Sequence, residues 1–207
     1  MAFIKIQKTQ AEKPFVRSHT RDYAGLLGEL SHEAPMSRRW AARDLGEYPE
    51  ATDALLERLK QEPDISVREV ILSALTRMCH QDVVLGLVEC LHSEDAALRN
   101  EAIETLKLMP DEVAPVMHGM LKDANSDVRI FAVNILESLR HPMVESWLIE
   151  VIEADPHVNV CATAVDLLGE VGSAAAREAL LGLKDRFPDE PYVHFAADLA
   201  LRRIDEG

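Results

Sequence analysis

Residues 127–136 read DVRIFAVNIL, and the same pattern stands at 97–106 (ALRNEAIETL), 66–75 (SVREVILSAL) and 37–46 (SRRWAARDLG). An arginine opens each copy: Arg38, Arg68, Arg99 and Arg129. Three residues on stands Ala41, Ile71, Ala102 or Ala132, and seven residues on stands Leu45, Leu75, Leu106 or Leu136. Two further copies keep the apolar positions and change the anchor. VCATAVDLLG (160–169) places Cys161 there, with Ala164 and Leu168 following, and VHFAADLAL (193–201) places His194 there, with Ala197 and Leu201. The six anchors are separated by 30, 31, 30, 32 and 33 residues. Self-similarity at a fixed period of this length marks a repeat architecture.

Ahead of each anchor lies a second apolar stretch, as in ATDALLERLKQ (51–61), DVVLGLVECLH (82–92), EVAPVMHGMLKD (112–123) and VESWLIEVIEA (144–154). Its apolar residues recur three and four apart, as at Leu55, Leu56 and Leu59, which is a helical stripe. Polar breaks at 62–64, 93–95, 124–127 and 154–156 divide the two stretches, and Asp64, Asp95 and Ser126 or Asp127 are suited to cap the helix that follows. Each copy is thus a helical hairpin that cannot bury its own apolar sides, and stacked hairpins share one core. The expected fold is all-α, an α-solenoid of six hairpins over residues 21–207 with an N-terminal arm at 1–20. Low aromatic content (5%) against 47% apolar residues agrees with helices rather than a sandwich of strands.

This pattern resembles the HEAT-repeat family, in particular the short bacterial type in which a valine–arginine pair opens the second helix, a type also found in phycobilisome-lyase-like proteins. The resemblance spans residues 20–205. It implies that the anchor arginine packs against an acidic group of an adjoining loop, and that copies five and six, which lack it, are less regular or form a cap. It also places the second helix of each hairpin on the concave side of the solenoid.

At 100° per residue, the anchor-relative positions −1, +3 and +7 share the core side, while +1, +5 and +8 point away from it. The candidate partner-binding residues are therefore Arg39 and Arg43 in the first repeat, Glu69 and Ser73 in the second, and Asn100 and Glu104 in the third. The later repeats add Ile130 and Asn134, Asp166, and Phe195. That row begins basic, becomes acidic and polar, and ends apolar. Ile130 and Phe195 are apolar where water is expected, which suits binding anchors. The expected function is a non-catalytic scaffold that recognises a partner protein or peptide.

Charge and motif content narrow the alternatives. The formal net charge is −14, and residues 1–43 carry eight basic against four acidic side chains, so the remainder is strongly acidic. Nucleic acid and anionic membranes call for a basic surface; an acidic body fits a partner with basic patches. Cys79, Cys90 and Cys161 are odd in number and irregular in spacing, as for free thiols of a cytoplasmic protein. No apolar run reaches the length of a membrane span, and MAFIKIQKTQ lacks the apolar core of a secretory signal. No cofactor or metal is expected. A di-iron hydroxylase on this scaffold would need several His-Glu pairs, and only His32-Glu33 occurs. A lyase-like chromophore chaperone is the alternative, with Trp40, Arg43 and His80 as candidate pocket residues. The row Glu50, His80, Asp111, His141 and Ser173 recurs one repeat apart, about 10 Å, too far for ligands of a single ion.

Overall fold

The computed structural model describes residues 22–206, so the arm at 1–20 lies outside the described residues. Among the described residues, twelve α-helices pack in six successive pairs: α1 (Tyr23–Glu29) with α2 (Pro35–Leu45), α3 (Thr52–Gln61) with α4 (Ile65–Met78), and α5 (Gln81–Cys90) with α6 (Ala96–Leu106). Then follow α7 (Pro110–Met120) with α8 (Ser126–Leu136), α9 (Val144–Ala154) with α10 (Val158–Val171), and α11 (Arg177–Arg186) with α12 (Pro191–Glu206). No strand occurs among the described residues.

Local chemistry sets the helix starts. The Asp64 and Asp95 carboxylates accept backbone N–H bonds from Ser66 and Val67, and from Ala97 and Leu98, as caps. The cap of α8 is Asn125, which accepts from Asp127 N–H; Ser126 and Asp127 already belong to the helix. Pro35, Pro110 and Pro191 stand at first-turn positions, where the missing N–H has no intrahelical partner.

The second helices touch in series from α2 to α12, and every alanine or isoleucine three residues after an anchor is fully buried between them. Leu45, Leu75, Leu106, Leu136 and Leu168 are also buried, and form one core with the first helices. Leu201, the corresponding residue of the last repeat, is only half-buried. A related change shows why. Ala42, Leu72, Ile103, Val133 and Val165 are buried four residues after their anchors, whereas the sixth repeat places exposed Asp198 there, paired with Lys184 at 2.6 Å. Repeat six therefore places a charged, exposed side chain at a position that the five earlier repeats keep apolar and buried.

The first helices α3, α5 and α7 also touch in series, as do α9 and α11, but α7 and α9 barely meet. The connector 137–143, between α8 and α9, buries Leu139 and stacks the His141 ring on Trp147, with centroids 5.1 Å apart and planes at 4°. A cleft opens between α7 and α9, lined by Leu121 and Lys122 on one side and Trp147 and Val151 on the other.

Candidate functional site

The anchors hold the second helices in place. Arg38 forms a two-pronged pair with Glu62 (2.8 and 2.7 Å) and also donates to the His32 and Glu33 carbonyls of its own loop. Arg129 repeats this with Asp155 (2.6 and 3.0 Å) and the Asp123 carbonyl. Arg68 reaches Asp95 at 3.0 Å and Glu101 at 2.8 Å. Arg99 keeps the loop bond, to Ser93 O at 2.7 Å, and lays its guanidinium over Phe131 at 6.0 Å. Each arginine thus ties its own hairpin to the next, by planar bonding geometry that lysine lacks. In the fifth repeat Cys161 replaces the anchor, and Arg186 of α11 enters from the next repeat to bond the Ile152 and Asp155 carbonyls.

Glu62 is the most constrained charge in this ladder. Burial pushes its carboxyl upward, but Arg38, Arg58 and the Asp64 N–H outweigh that and hold it down at about 2. It stays ionised and structural. The thiols are inert for the opposite reason: burial pushes Cys90 up to about 11, and also raises Cys161 and Cys79. A nucleophile needs the thiolate.

The ten sequence-derived positions fall along the second-helix row. Arg43, Glu69, Ser73, Asn100, Glu104, Asp166 and Phe195 are exposed. Phe195 shows 59% of its surface. Arg39 and Asn134 are half-buried, and Arg39 Nε has no hydrogen-bond partner among the described residues. Ile130 differs from expectation: it is half-buried and packs against the core. The structure brings Asn134 and Asp166 together in a cleft of about 230 Å³, with Val133 and Leu167 beneath and Glu137, Thr163 and Glu170 around them. Sequence reasoning missed Tyr192, which is 54% exposed and donates its hydroxyl to Asp166 at 2.8 Å. Its signal was an aromatic at a position where the other repeats carry Met36, Ser66, Ala97, Asp127 and Asn159.

Away from this row, the cleft between α7 and α9, about 290 Å³, has Leu121, Trp147, Val151 and Pro156 inside and the Lys122–Glu150 pair (2.7 Å) at its edge. Trp40 and Arg43 lie on α2, while His80 precedes α5 and meets Thr52 Oγ1 at 3.0 Å. His32 Nδ1 accepts the Ala34 N–H, a loop role. Among the described residues no group of three or more His, Cys, Asp or Glu side chains is placed to hold a metal ion, and no helix is long and apolar enough to cross a membrane.

A family model described as HEAT repeats matches residues 52–119 and 113–202. No curated protein matches the chain. Among solved structures, the TOG3 domain of Drosophila melanogaster Mini spindles is similar at 15% identity and a TM-score of 0.52, covering 89% of this chain and 93% of that one. An archaeal HEAT-like repeat protein from Thermococcus onnurineus is similar at 17% identity and a TM-score of 0.46, covering 87% and 86%. The complex of CpcE and CpcF of phycocyanin lyase from a Nostoc species is similar at 19% identity and a TM-score of 0.36, covering 100% and 99%. Likeness at these identities concerns the fold alone.

Proposed function

The chain belongs to the HEAT-repeat family, and from that premise we propose that it is a non-catalytic scaffold recognising a partner protein through its second-helix face. The observation that carries the reading is the row of exposed positions in repeat register, Arg43, Glu69, Ser73, Asn100, Glu104 and Asp166, interrupted in the fourth repeat, where Ile130 and Asn134 are half-buried, and ending in Phe195 with more than half of its surface in water. Large exposed aromatics are costly to leave unused and dominate binding energy where a partner covers them. The buried arginine–carboxylate ladder supports the same view, since it spends the strongest charges of the molecule on fixing the face rather than on chemistry. The acidic body favours a partner with basic patches, whose approach the field of the scaffold accelerates.

Site-specific photocrosslinking in the source cell tests this. A benzophenone side chain at Ser73 or Asn100 should give a discrete adduct, and one at Glu57 or Leu181 on the first helices should not. Adducts from the first helices alone would contradict the reading.

A further inference from the structure

The second-helix face is not uniform, and its C-terminal half has the features of one particular pocket. The cleft between α8 and α10 has an apolar floor, Val133 and Leu167, and an acidic rim, Glu137, Asp166 and Glu170. A straight aliphatic stem ending in a cation fits such a cleft: its methylenes lie on the floor while the charged head meets the rim. The rim is short of positive charge. Asp166 and Glu170 form no ion pair among the described residues, and Glu137 reaches only Lys107, at 3.9 Å. Some acids on the first helices are neutralised instead, with Lys60 between Glu57 and Glu89 (3.1 Å each) and Lys122 on Glu150.

Beside the cleft stand the aromatics. The Tyr192 hydroxyl bonds both Asp166 oxygens, at 3.0 and 2.8 Å, so its ring adjoins the acidic rim. Phe195 follows one turn along α12, on the same side of the helix.

Resting on the scaffold reading above, we propose that this cleft receives a lysine or arginine side chain of the partner, with an adjacent large apolar side chain of the same segment laid on Tyr192 and Phe195. The acidic rim selects the cation and the rings select its apolar neighbour. A segment offering only one of the two binds less well.

The test is a titration of the ¹⁵N-labelled full chain, followed by amide chemical shifts, with three blocked hexapeptides: Gly-Ser-Lys-Leu-Ser-Gly, the same with Glu for Lys, and the same with Ser for Leu. The first peptide should move the amides of Asn134, Asp166 and Phe195, with a Kd about tenfold below either control. The double variant Asp166→Asn/Glu170→Gln should erase the preference for Lys over Glu, and Phe195→Ala the preference for Leu over Ser. Equal binding of all three peptides, or no shifts at millimolar peptide, overturns the proposal. Shifts centred on repeats one to three overturn the pocket while leaving the face reading intact. Shifts confined to the first helices overturn both.

Discussion

Glu62 shows how a single side chain carries stability here. Its carboxylate has no exposed surface and faces Arg38 and Arg58 at 2.7 Å each. Replacing it by glutamine leaves two guanidinium groups without a counterion, and should cost about 3 kcal/mol in chemical denaturation. Because its folded pKa is depressed, its contribution is present in full above the ordinary carboxylate range, about 4.3. The contribution is lost as pH falls toward about 2. Glu62→Gln should therefore be most damaging near neutrality and progressively less so in acid; a constant difference across pH would contradict the assignment. Ala132 is fully buried between second helices, and Ala132→Phe should cost about 1–3 kcal/mol by overpacking. A change of a few tenths would mean that the repeat register is misplaced. The Arg38 and Arg129 anchors were legible because the pattern recurs and their acidic partners lie in loops marked by polar breaks. Arg186 was not. It replaces a missing anchor from a different helix, outside the repeat register, so only the folded chain reveals it.

At the level of elements, twelve helices and their pairing could be read from apolar spacing, since each hairpin obeys the same local rule. What could not be read was how neighbouring hairpins lean on one another. Ile130 stands at a position that is solvent-facing by helical geometry, yet it is half-buried and packs against the core. The cleft between α7 and α9 likewise arises from how two hairpins meet, and its lining joins Leu121 and Lys122 to Trp147 and Val151. The charge that α12 carries at Asp198 is testable in the same way. Asp198→Leu restores the apolar residue found in the five earlier repeats and should promote end-to-end association, raising the sedimenting mass with concentration. A variant that stays at the wild-type mass at high concentration would show that the charge at that end is incidental.

For the whole molecule, charge and fold act together. A net charge of −14 discourages binding to polyanions, and on the C-terminal half of the second-helix face Asp166 and Glu170 form no ion pair among the described residues. The row of candidate residues was legible because a repeat projects one register onto six helices. The acidic cleft and the Tyr192 contact were not, because they arise between repeats. The central claim is that partners are read by the second-helix face. It is tested most directly by the Kd of the crosslinked partner, once isolated, for Phe195→Ala and Glu104→Ala against Glu57→Ala and Glu150→Ala. The account predicts a loss of about 2 kcal/mol for Phe195→Ala. Glu104→Ala should give a smaller, salt-dependent loss, and the two first-helix variants should bind as wild type. Weakened binding in the first-helix variants with wild-type affinity in the other two would contradict it.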